Sequence, residues 1–255
     1  MNAPLFPTSL HSSTAEIVHD HFSKLELVDT VLVVNSCARG QAIAESDLDL
    51  AILVLPATDP NVIRKLENEW QQFSSNHPAI QKFRNSHKFA HLHLDVITGE
   101  YIPGEMEPGG AIDHFEVEIG NQIAYSAPMG DAGNYFLDLR TKWLPYYQEE
   151  LRQNRSNMVN FAITYHLDQI PLLLKRDLHF HAFDSLYKTL QLALQLLFIK
   201  HRTYPIAYNK WIKYQLQEFL KKPELYNEIA GVLEISKLDS KTILEKVTSI
   251  RKLIA

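Results

Sequence analysis

Strand-type patterning in this chain is confined to its first half. Val31–Val34 is a β-branched apolar run and Leu48–Leu55 is a second, closed by Pro56; both read as buried strands. Phe89–Ile97 alternates, with Leu92, Leu94 and Val96 on one face and His91, His93 and Asp95 on the other. Asp113–Glu118 alternates again and reads as a short strand, after a loop over Gly99–Gly110 that contains Pro103 and Pro108. Two helices are expected in this half, one before the first strand and one between the second and third. One is capped around Ser12-Ser13-Thr14 and runs to Phe22. The other starts at Asp59-Pro60 and carries Val62, Ile63, Leu66, Trp70 and Phe73 at helical spacing. Beyond about Phe136 strand signals cease. Apolar residues then recur at three- and four-residue steps, most clearly over Ala182–His201 and again near Ser240–Leu253. The pattern predicts an α+β chain, with a mixed α/β domain over 1–135 and a helical bundle domain over 136–255. With 255 residues, 45% of them hydrophobic, there is enough apolar material for both.

The polar stretch between the first two strands carries the chemistry. Asn35-Ser36-Cys37-Ala38-Arg39-Gly40 is a small polar turn, and Ser46-Asp47-Leu48-Asp49-Leu50 opens the second strand. Alternation points Asp47 and Asp49 one way and Leu48 and Leu50 into the core. Two carboxylates a few ångströms apart repel unless a cation sits between them, and Mg²⁺ favours oxygen ligands.

This segment resembles the nucleotidyltransferase superfamily that includes DNA polymerase beta and the bacterial aminoglycoside nucleotidyltransferases. Their pattern is an apolar strand, Gly-Ser, a short helix start, then Asp-x-Asp in the next strand. Ser36 takes the serine position, Ala38-Arg39-Gly40 follows, and Asn35 stands where the family usually has its glycine. Asn tolerates unusual turn geometry better than most residues. The resemblance implies a nucleotidyltransferase sheet with flanking helices, a helical substrate-binding lobe, and substrate held between the two. It also implies two Mg²⁺ ions on Asp47 and Asp49, with a third acid on a later strand. Asp95 fits that third place by strand order and by its polar face. Ser36, Arg39, Gly40 and Ser46 are the implied nucleotide contacts around the turn, and ATP is the expected donor. A second stretch, Thr203-Tyr204-Pro205 through Lys210-Trp211, resembles the helical domain of antibiotic-adenylating enzymes, which adds Tyr204 and Lys210, the lysine facing phosphate oxygens. Relatives that share an active site across two chains make a homodimer compatible with this plan.

Other assignments stay open at this stage. His91, His93 and Asp95 share a face and suit zinc as a rival to magnesium. Glu116 and Glu118 form a second acidic pair, readable as a general base or as a solvated strand edge. Arg176 and His181 are spaced as in the helical HEPN ribonucleases. The acceptor is expected to be a hydroxyl on a small molecule. A cationic, aminoglycoside-like compound would be drawn to an acid-rich cleft containing Glu105, Glu107, Glu116 and Glu118. A protein side chain as acceptor, or a non-catalytic, antitoxin-type nucleotide-binding module, is the alternative.

The bulk properties narrow the setting. A net charge of −5 argues against a broad nucleic-acid-binding surface. One cysteine, Cys37, excludes an intramolecular disulfide and suits a reducing compartment. The N-terminal residues lack a basic segment followed by an apolar one, and the most apolar stretch, around Leu190–Ile199, is too short to span a bilayer. A cytoplasmic protein with no membrane partner is expected.

Overall fold

The computed structural model describes residues 3–104 and 112–254. Glu105, Glu107 and the end of the Gly99–Gly110 segment lie outside the described residues. The packing divides the chain into two units: Met1–Tyr101 with Glu118–Leu144, and Ile102–Val117 with Pro145–Ala255. Residues 136–144 stay with the first unit, and the described residues of 102–117 group with the second.

In chain order the elements of this half are α1 (Ser9–Phe22), β1 (Val28–Val33), α2 (Asn35–Ala38), β2 (Leu48–Val54), α3 (Pro60–Asn76), α4 (Pro78–Arg84) and β3 (Leu92–Ile97). After them come α5 (Phe115–Ile119), within which the division falls, then β4 (Ala127–Pro128) and α6 (Asn134–Trp143). The four strands form one sheet in the order β3-β2-β1-β4. β1 runs antiparallel to β2 and β4, while β2 and β3 are parallel, so the sheet is mixed. A parallel pair needs a crossover, and α3 and α4 provide it. Asp59 caps α3, its carboxylate accepting from the Asn61 amide at 2.7 Å, with Pro60 in the first turn as expected.

One face of the sheet is apolar throughout. Leu48, Leu50, Ile52 and Val54 of β2 join Val31, Val33 and Leu92, and they bury against Ala15, Val18 and Phe22 of α1 and Trp70, Ile80 and Phe83 of α3 and α4. Period-two alternation puts Asp49, Ala51 and Leu53 on the other face. Ala51 and Leu53 are buried there, and Asp49, at the open end of the strand, is only half-buried. The apolar face thus fixes the register that turns Asp49 outward, because a one-residue slip would bury a carboxylate.

The second unit holds α7 (Glu149–Lys175), α8 (His179–Lys200), α9 (Ile212–Tyr214), α10 (Leu225–Leu233) and α11 (Ser240–Ile254). Ile163, Leu167, Ile170, Leu186, Leu190, Leu194, Ile229, Ile243 and Ile250 are among its core. The α+β reading, with a mixed sheet, flanking helices and a helical C-terminal region, holds. No helix among the described residues is long and apolar enough to cross a membrane.

Two local expectations are corrected. α1 begins at Ser9, because the Thr8 hydroxyl, and not Ser12 or Ser13, accepts from the His11 amide at the helix start. Asp113–Glu118 is not a strand: Phe115–Ile119 is helical. On a helix, residues two apart point to different sides, so Glu116 and Glu118 form no acidic pair.

Candidate metal centre

The turn between β1 and β2 is shaped by backbone as much as by side chains. Asn35 sits in the left-handed region at φ 55°, a conformation Asn adopts with little penalty, so it takes the place a glycine would fill. Gly40 is also left-handed, at φ 67°, and a Cβ there would meet Leu5 Cδ1 at 2.8 Å. The turn is tied by the Gln41 amide donating to Ser36 O at 2.9 Å and the Leu5 amide to Cys37 O at 3.1 Å. Arg39 Nη1 donates to Asn121 Oδ1 at 3.0 Å.

Asp47 is positioned by the residue before it. The Ser46 hydroxyl accepts from the Ile43 amide at 2.9 Å, closing the loop that leads into β2. The Ser46 carbonyl lies 3.0 Å from His11 Nε2, and His11 Nδ1 lies 2.8 Å from Thr8 Oγ1. A carbonyl can only accept, so Nε2 carries a proton and donates to it, and in the neutral ring Nδ1 then accepts from Thr8. The buried His11 thereby links the cap of α1 to the approach to Asp47. Cys37 lies beneath the acids, its Sγ 4.0 Å from Asp47 O. Burial, with the charges of Asp49 and Asp47 adding, pushes its thiol up to about 12.

Three side chains converge above this base. Ligand-type atoms of Asp47, Asp49 and His93 all lie within 4.8 Å of one another. The parallel register places Asp49 directly opposite His93, and His93 Nε2 is 3.8 Å from Asp47 Oδ2. Asp95 pairs with Ala51, one pleat further along β3, and is exposed on the same face as His93. The converging group therefore contains His93, while Asp95 stands two residues beyond it. The signal for His93 was present in the sequence, in the shared polar face of β3; what selects it over Asp95 is the β2–β3 register.

The remaining expected site residues fall elsewhere. Glu116 is fully buried in the second unit and bound on all sides. Arg155 donates from Nε and Nη2 to its two oxygens at 2.9 Å each, Gln195 Nε2 donates at 2.8 Å, and the Tyr147 hydroxyl donates at 3.0 Å. The same guanidinium grips Asp113 at 2.6 and 2.7 Å. Burial alone would lower the Arg155 pKa, but its bonds to Glu116 and Asp113 hold it well above the ordinary value. A carboxylate so engaged serves the packing of the second unit, and it is not among the groups that converge with Asp47 and Asp49. Tyr204 is 2% exposed and packed with its ring centroid 4.7 Å from that of Tyr146. Lys210 is exposed, on a loop pinned by buried Gln215, whose amide group donates to Ala207 O and Lys210 O and accepts from the Ile206 amide. Arg176 and His181 are exposed near the α7–α8 turn, where Asp177 adopts φ 60° and pairs with His179 at 3.1 Å.

No protein-family model matches this chain, and no curated protein matches it. Among solved structures it is similar to a nucleotidyltransferase-like protein from Exiguobacterium sibiricum 255-15, at a TM-score of 0.44 and 12% identity, over 96% of this chain and 74% of that one.

Proposed function

We propose that this protein is a divalent-metal-dependent nucleotidyltransferase that moves a nucleoside monophosphate from ATP to a hydroxyl group of a small molecule. The observation that carries the reading is the convergence of Asp47, Asp49 and His93 at the open end of β2, beside a tight turn that holds Asn35 and Gly40 in the left-handed region. The acid pair fits a divalent cation by charge and by donor type, and Mg²⁺ is the expected ion. Bound metal would screen phosphate charge and align the α-phosphorus with the attacking oxygen.

The chain's own residues supply the rest. Asp47 and Asp49 hold the ions, Asp49 turned outward by the buried alternation of β2 and Asp47 set by the Ser46-closed loop that leads into it. The Ser36–Gly40 turn receives the phosphates through its amides and the Ser36 hydroxyl. Asp95, exposed beside His93, accepts the proton released by the acceptor hydroxyl. The bond from the α-phosphorus to the bridging oxygen breaks, the acceptor oxygen takes its place, and pyrophosphate leaves. Incubation with labelled ATP, Mg²⁺ and a panel of aminoglycosides and related hydroxylated cations tests the reading. Labelling of a panel member that Asp49→Asn abolishes supports it. Labelling of the protein itself or of an added protein moves the acceptor to a side chain. Undiminished labelling by Asp49→Asn overturns the mechanism.

A further inference from the structure

His93 alters what the acid pair can hold. Its Nε2 is 3.8 Å from Asp47 Oδ2, too long for a hydrogen bond. Two ligands on one ion at about 2.1 Å stand roughly 3.0 Å apart when adjacent and about 4.2 Å apart when opposite. The observed spacing of this pair lies between those limits, and the three donor groups lie within 4.8 Å of one another, close enough for small side-chain rotations to bring all of them onto one ion. The imidazole is not there by accident of a flexible loop: His93 is locked into β3, in register with Asp49. It is also half exposed, with its side chain at 56% of full exposure, so packing does not account for its position.

We propose that His93 is a direct metal ligand, and that this centre selects a first-row transition ion such as Mn²⁺ over Mg²⁺ in the position shared by Asp47, Asp49 and His93. Mg²⁺ takes oxygen donors almost to the exclusion of nitrogen and keeps its waters. Affinity for a mixed nitrogen–oxygen set rises along the transition series from Mn²⁺. One imidazole among two carboxylates tips the set away from Mg²⁺ while leaving positions open for phosphate oxygens. The proposal rests on the transferase reading for its purpose, but not for its test.

Mn²⁺ titration of the intact protein, followed by electron paramagnetic resonance without nucleotide or acceptor, reads the site directly. Wild type should bind Mn²⁺ at least about tenfold more tightly than Mg²⁺ in competition, and its spin-echo spectrum should carry nitrogen modulation from an imidazole. His93→Ala should lose that modulation and weaken Mn²⁺ binding by about tenfold or more, with an unchanged melting curve. His91→Ala should keep the modulation, which separates His93 from its neighbour 5.8 Å away. His93→Asp should restore an all-oxygen set and shift the preference back toward Mg²⁺. Absent nitrogen modulation in wild type, or unchanged Mn²⁺ affinity in His93→Ala, would overturn the proposal. A protein that binds Mn²⁺ through His93 yet transfers no nucleotide would sink the transferase reading alone.

Discussion

Arg155→Met is the substitution whose outcome the buried network of the second unit determines most closely. Arg155 is fully buried and makes four hydrogen bonds, two to Glu116 and two to Asp113. Methionine approximates the volume of the stem, so the change removes charge and donors with little cavity. Glu116 would be left with no counter-charge at complete burial, and Asp113 with its carboxylate largely enclosed. Breaking a buried pair by deleting one partner costs about 3–5 kcal/mol. In a protein of this size each kcal/mol moves a transition by about 2–4 °C, so the melting of this unit should fall by about 6–20 °C. Scanning calorimetry reads the shift. Neutralising the stranded acid as well, in Arg155→Met/Glu116→Gln, should recover part of it. A single Arg155→Met protein melting within about 2 °C of wild type would refute the argument that the network is fully desolvated. Nucleotide transfer lost in Glu116→Gln, at wild-type stability, would return Glu116 to a role in the chemistry.

Other outcomes follow from the first unit. Asn35→Val should cost about 1–2 kcal/mol, because a β-branched residue resists φ 55°, whereas Asn35→Gly should stay within about 0.5 kcal/mol in urea denaturation. His11→Ala strands the Ser46 carbonyl, so it should destabilise by about 1–3 kcal/mol and weaken Mn²⁺ binding without touching the ion. Cys37 is buried and its thiol is pushed up to about 12, so it should react slowly with a thiol reagent at pH 8 until denaturant is added. The sign of its pH effect follows. The unfolded chain releases this proton near 9.0 and the folded chain only near 12, so stability falls as pH rises between those values, and Cys37→Ala should remove that part of the alkaline loss.

The parts of this molecule that local pattern governs were legible. The strands around β1 and β2, the outward pair Asp47 and Asp49, the alternation of β3 and the helices α3, α8 and α11 follow from period and punctuation. The miscalled segment is Asp113–Glu118, where alternating polarity suggested a strand. Its polar residues are drawn inward by Arg155, 39 positions away in the case of Glu116, and a local pattern carries no trace of such a partner. The long helix α7 is blurred for a related reason: it buries Arg155 and His166 while exposing Phe161 and Leu172, the reverse of what an amphipathic stripe displays. His11 was equally hidden, since nothing near it in the chain announces that its ring supports Ser46. At the centre itself the two aspartates were readable from spacing, whereas choosing His93 over Asp95 as their companion required the register of two parallel strands.

Isothermal calorimetry of ATP with divalent metal against wild type, Asp47→Asn and Asp49→Asn tests the central claim without needing the acceptor. The account predicts binding by wild type that requires the metal and is lost in both variants, with circular dichroism and melting unchanged. Metal-dependent ATP binding of equal strength in all three proteins would contradict it.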